Sequence, residues 1–197
     1  LGRAWGDGHG NFMGSTVVHL TAGDPSPAGL SLVAGVALAK AVDTLAPGVG
    51  AWLKWPNDLL IEGVKCTGIL LERAGDSIVI GMGVNLVSAP ELPDRPTVCF
   101  ADRGVSIDRD RFAEVLAVAL TDALWTWRHE GIDRITAAWT AQAHPIGTPL
   151  RVSELGIDGT FDGLAPDGAL RLRRDGGEVM LIHAGDVELQ RPVKEGN

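Results

Sequence analysis

Two lysines, an asparagine and an aspartate interrupt the most apolar part of this chain. The stretch is AWLKWPNDLLIEGVKCTGILLE, residues 51–72. Pro56, Asn57 and Asp58 suit an ordinary β-turn, and turn chemistry accounts for them. It does not account for Lys54, which stands in strand-like sequence between Trp52 and Trp55. A lysine set among tryptophans needs an anionic partner. Lys65 admits two readings. It is an exposed edge-strand lysine that discourages wrong pairing, or a charge aimed at a carboxylate or phosphate beside Gly68, where the backbone permits close approach.

A glycine-rich loop opens the chain, with Arg3, Gly6, Gly8 and Gly10. Such loops close over phosphates through backbone N–H groups and a guanidinium; the alternative is a plain flexible loop. GMGVN, residues 81–85, holds a GxG but lacks the third glycine and the following helix of a dinucleotide fold. There is no GxSxG and no Walker A sequence, His9 and His19 have no partner at metal spacing, and no residue suggests itself as a covalent nucleophile. One arrangement covers these pieces. A loop, two lysines and an Asn-Asp turn surround a carboxylate that a nucleotide activates. Lysine charge offsets the repulsion between carboxylate and phosphate, and Asn57 and Asp58 help to hold Mg²⁺ through oxygen.

The elements that must position these residues can be read along the chain. With 197 residues, 45% of them hydrophobic, it can build a real core. A net charge of −8 argues against a general nucleic-acid surface, yet leaves room for a local basic pocket. Cys66 and Cys99 form no CxxC and read as free buried thiols of a reducing, cytoplasmic compartment. The apolar run 28–46 is broken by Ser31, Lys40 and Asp43 and is not expected to span a membrane. No secretory signal is visible, and the start at Leu1, inside the glycine-rich loop, leads us to expect sequence upstream.

Residues 15–23 read as a strand, and helical spacing follows from Pro27 to Pro47. Strands are expected at 51–55, 59–63, 65–75 and 77–86, joined by short turns into antiparallel hairpins. A Pro-rich loop covers 88–106. A second helix begins behind the N-cap Asp108, and a short one covers 132–142. After His144 the texture changes. Residues 148–190 read as five short strands, the size and pattern of a small SH3-like barrel. The expected fold is α+β, a mostly antiparallel mixed sheet packed with helices. Its expected divisions are a catalytic domain over 1–143, the barrel over 144–190 and a frayed tail over 191–197.

KWPND, then VKCTGILLE, then GMGVNL, in that order, resembles the catalytic domain of biotin protein ligases. The opening GRAW and GNF look like the end of that family's biotin- and adenylate-binding loop. HPIGTPLRV and GALRLRRDGGEVMLIHAGDVEL look like its small C-terminal barrel. The resemblance covers about residues 1–190 and implies a class II synthetase-like fold. Its reaction would join biotin and MgATP into biotinyl-5'-AMP and pass biotin to a lysine of the biotin carboxyl carrier protein of acetyl-CoA carboxylase. By similarity Lys65 would contact the carboxylate, Lys54, Trp55 and Asn57 would line the ATP side, and Asp58 would assist the metal or the incoming lysine. Asn85 would touch nucleotide or metal, Gly68 would allow close approach, and Arg3, Trp5, Gly10 and Asn11 would belong to the closing loop. The resemblance leaves room for a homodimer. The family's Gly-Arg-Gly-Arg run and its Ser/Thr-Asn segment would stand before residue 1. The loop GDGHGNFMGST departs from the family's usual Ser-Pro-Pro form, and Lys65-Cys66-Thr67-Gly68 from its Lys-x-Gly-Gly form. Two alternatives stand beside this reading: a lipoate–protein ligase, and a ligase-like protein that binds biotin or its adenylate without transferring it.

Overall fold

The computed structural model describes residues 8–92 and 96–190. Three antiparallel sheets and three helices make up the fold, an α+β arrangement as expected. The first sheet has strand order β1-β6-β5, from β1 (Phe12–His19), β5 (Thr67–Ala74) and β6 (Ser77–Val84). The second has order β2-β3-β4, from β2 (Ala51–Lys54), β3 (Asp58–Ile61) and β4 (Val64–Lys65).

Helix α1 (Leu30–Leu45) lies against both sheets and against α2 (Arg109–His129) and α3 (Ile132–Ala141). By length and hydropathy alone Pro27–Leu45 could cross a membrane. In the fold it is the central core helix, with Leu30, Val33, Ala37, Leu38 and Ala41 wholly buried. Asp108 caps α2 as its sequence predicts, accepting from the Arg111 amide at 2.8 Å. The expected first helix is shortened, because Pro27–Gly29 form a 3-10 turn before it.

One strand expectation needs correction. Residues 65–75 are not a single strand. Val64–Lys65 pair with β3, whereas Thr67–Ala74 pair with β6. Cys66 is the crossing point. Its amide donates to Leu59 O at 3.0 Å, and its carbonyl accepts from the Asn85 amide at 3.1 Å. Lys65 and Gly68 therefore belong to different sheets, and the site lies on the seam between them.

The five C-terminal strands appear where turn residues placed them: β7 (Pro149–Val152), β8 (Ile157–Leu164), β9 (Leu170–Arg173), β10 (Val179–Ile182) and β11 (Val187–Leu189). They form one antiparallel sheet of order β10-β9-β8-β7-β11, with an irregularity in β8 between Phe161 and Leu164. The segment after α3 is pinned to the second sheet, where the Leu53 amide donates to Gln142 O at 2.8 Å.

His144 follows, 2% exposed, with its ring edge-on to Phe161 at 4.4 Å between centroids. Neither ring nitrogen has a hydrogen-bond partner among the described residues. Burial, reinforced by the nearby Lys54 charge, lowers the His144 pKa from 6.5 to about 4. The unfolded chain thus binds the extra proton first, and stability falls as pH drops from 6.5 towards 4. We expect a loss of about 3 kcal/mol across that window in urea titrations, and a visibly flatter profile in His144→Leu.

Candidate active site

The hairpin of β2 and β3 carries four of the expected site residues, Lys54, Trp55, Asn57 and Asp58. Register pairs Lys54 with Asp58 across it, flanking the turn at Trp55, Pro56 and Asn57. The Trp55–Pro56 bond is cis. Asp58 is 4% exposed, and a carboxylate so far from water needs hydrogen-bonding or charged partners. It has two partners. Lys54 Nζ lies 3.2 Å from Oδ2, and Lys65 Nζ donates to Oδ1. Lys65 reaches it from β4, with its side chain 28% exposed.

Lys54 is nearly buried, and it also faces away from the hairpin. Its ammonium donates to Val187 O at 2.8 Å and to Asp186 Oδ1 at 3.2 Å. Trp55 does likewise, donating from Nε1 to Gly168 O at 3.1 Å. Lys54 and Trp55 thus tie the hairpin to the C-terminal sheet, whereas Asp58 and Lys65 hold charge at the seam. These long-range partners had no signal in the sequence.

Asn57 uses its amide to hold the neighbouring sheet, with Nδ2 donating to Ile69 O at 2.7 Å. Its Oδ1 accepts no hydrogen bond among the described residues. Asn85 Nδ2 donates to Val98 O at 3.2 Å and so fixes the segment that follows β6. That segment forms one wall of a cleft of about 550 Å³, lined in part by Ser88, Glu91, Thr97, Cys99 and Asp102. Thr97 bridges to Lys65, so the cleft adjoins the charged cluster.

No group of three or more metal-ligating His, Cys, Asp or Glu side chains occurs among the described residues. Both Asp58 oxygens face ammonium groups, which leaves the Asn57 Oδ1 as the better placed oxygen for a metal arriving with a nucleotide. Burial pushes the Cys66 thiol up to about 12, which disfavours a reactive thiolate there.

Sequence reasoning weighed the two glycines of GMGVN only against a dinucleotide fold, and the alternation of side chains along a strand was the signal it left unused. Register puts Gly83 between Met13 and Gly68, and Gly81 between Ser15 and Leu70. All six share one sheet face. A Cβ on Gly81 would meet nothing closer than 3.7 Å. The packing of the chain does not require glycine there, although mid-strand glycine costs about 0.5–1 kcal/mol. Of the other expected site residues, Gly10 and Asn11 lie in the turn before β1, while Arg3 and Trp5 fall outside the described residues.

Comparison with known proteins decides the family. Residues 1–85 match the biotin/lipoate A/B protein ligase family. The biotin–[acetyl-CoA-carboxylase] ligase of Paracoccus denitrificans is 34% identical over 94% of this chain and 83% of its own length. The chain belongs to the biotin protein ligase family. The Mycobacterium tuberculosis member is 36% identical over 80% of this chain, a match that spans 61% of that protein. A solved ligase from Aquifex aeolicus, in complex with biotin and ATP, superposes with a TM-score of 0.83 at 21% identity, covering 97% of this chain and 83% of that one.

Removing the shared anion tests this cluster. Asp58→Asn leaves two ammonium groups close together with no carboxylate between them. We expect it to destabilise the fold by about 3 kcal/mol in urea unfolding.

Proposed function

We propose that this protein activates biotin with MgATP and transfers it to a lysine of the biotin carboxyl carrier protein of acetyl-CoA carboxylase. The observation that carries this reading is the Lys65–Asp58–Lys54 cluster at the sheet seam, in a chain of the biotin ligase family. In the first step a biotin carboxylate oxygen attacks the α-phosphorus of ATP, and pyrophosphate leaves. In the second the carrier's ε-amine attacks the acyl carbon, and AMP leaves.

The chain's own contribution is positioning and charge. Lys65 offsets the repulsion between the carboxylate and the phosphate. Asp58 holds Lys65 in place, and Lys54 steadies Asp58. Mg²⁺ enters with the nucleotide as part of the substrate, with Asn57 and Asp58 nearest to it. The cleft beyond β6, with Asn85 at its root, takes the nucleotide. The sheet face of Gly68, Gly81 and Gly83 takes the body of biotin. Arg3, Trp5 and Gly10 belong to the loop that shields the adenylate from water.

We further propose that residues 1–143 and 144–190 are separate domains, the second an SH3-like barrel, with 191–197 as a tail. Its five strands are consecutive in the chain and pair with one another in one sheet, which supports this. The two free thiols fit a cytoplasmic location. A lipoate–protein ligase is not favoured, because the curated relatives are named for biotin. A binding protein without transferase activity would release pyrophosphate at most, and would leave a carrier domain unmodified.

The test is pyrophosphate release by the full-length protein with MgATP and biotin, lipoate or no acid, followed by transfer to a carrier domain. We expect release with biotin alone. Lys65→Ala should lower it about 10- to 100-fold while the fold is kept; unchanged release would remove Lys65 from the chemistry. Gly81→Ala should weaken biotin binding with thermal stability unchanged or raised, because the chain itself has room for the methyl group.

A further inference from the structure

Asn11 stands at the end of a tight turn, where its backbone amide donates to Gly8 O at 2.9 Å. Its side chain does not line the cleft. It is spent on the backbone just beyond β6. Oδ1 accepts from the Val87 amide at 2.9 Å and from the Ser88 amide at 3.2 Å. Nδ2 donates to Ser88 O at 2.8 Å. One side chain thus replaces the missing ladder partner of two consecutive residues.

The surroundings leave this side chain little alternative. Gly10 has φ +85°, and a Cβ there would come within 3.0 Å of Val87 Cγ2. A Cβ on Gly8 would fall 2.2 Å from Asn11 Nδ2. The turn therefore sits directly on residues 87 and 88. From the other side the Cys99 thiol donates to Val87 O at 3.3 Å, and the Ala101 amide donates to Leu86 O at 3.0 Å. Residues 86–88 are the root of the cleft wall, clamped between the turn that precedes β1 and the segment 99–101.

We propose that Asn11 is a positioning residue that latches the glycine-rich turn to the cleft wall and so sets the nucleotide cleft, rather than a residue that touches biotin. This rests on the assignment of the cleft to the nucleotide. Removing the latch loosens Val87 and Ser88, and the cleft they begin, while the glycine face of the sheet keeps its own ladder bonds.

The experiment uses the full-length protein, Asn11→Leu and Asn11→Asp. It reads hydrogen exchange at the Val87 and Ser88 amides, and the Kd values for MgATP and for biotin by calorimetry. In Asn11→Leu both amides should exchange about tenfold faster or more, with Kd for MgATP raised about tenfold and Kd for biotin within about twofold. Asn11→Asp keeps the acceptor and loses the donor. Both amides should then stay protected, while its carboxylate, facing Ser88 O, raises Kd for MgATP by about threefold or more. This second variant decides the matter if Asn11→Leu does not fold. Unchanged exchange in Asn11→Leu, a rise in Kd confined to biotin, or unaltered MgATP binding in both variants would overturn the proposal. If the wild-type protein binds MgATP but releases no pyrophosphate with biotin, the ligase reading fails, and the binding and exchange results still decide the latch.

Discussion

Asp58 is the point on which the site depends. A carboxylate 4% exposed is cut off from water, and two ammonium groups take the place of that water. The same pairing lets Lys54 sit at a protein–protein seam inside one chain. Its charge is shared between Asp58 in the hairpin and Asp186 at the edge of the C-terminal sheet, and Val187 O accepts a further bond. Lys65, the more exposed of the two lysines, shares Asp58 with it. Val187 O of β11 and Asp58, the partner of Lys65, are thereby joined through the single ammonium of Lys54. The five residues KWPND thus join two jobs: Lys54 and Trp55 reach the C-terminal sheet, while Asn57 and Asp58 bond across the seam.

Three asparagines hold that seam where regular pairing lapses. Asn57 bonds Ile69 O across from the hairpin turn, Asn85 bonds Val98 O beyond the end of β6, and Asn11 bonds residues 87 and 88 beyond the start of β1. A side-chain amide offers the donor and acceptor of a peptide group without a strand behind it. That suits a place where two sheets meet and neither ladder can continue. It also leaves the strand ends open for a ligand, which a longer ladder would cover.

Much of the fold was legible because its signals are local. The apolar spacing of α2 and its Asp108 cap needed only neighbouring residues, and the turns among the five C-terminal strands needed only their glycines and aspartates. The site was half legible. Lys54 was recognised as needing an anion, but Asp186 lies 132 positions further on, and nothing local names it. The break at Cys66 was invisible because residues 64–74 keep an unbroken strand-like composition, while the switch of partners is set by Leu59 and Asn85. Gly81 and Gly83 were weighed against a dinucleotide loop and discarded. Only the register with Met13, Ser15 and Gly68 shows them as one surface.

That surface and the charged cluster describe one kind of ligand from two ends. The sheet face offers glycine backbone at Gly81, with room that the chain does not fill, beside the exposed apolar side chains of Met13 and Leu70. Such a surface suits an uncharged body that lies close against peptide groups. Three residues before Gly68 stands Lys65, whose charge favours a carboxylate. An acid with a compact neutral body and a carboxylate at its tip meets both requirements, whereas a free nucleotide, with its charge carried on several phosphates, meets only the second. The polar cleft beyond β6 adjoins Lys65 from the other side through Thr97. On the proposed reading, an acid on the sheet and a phosphate in the cleft would both come near this lysine, and a positive charge where they meet would lower the barrier.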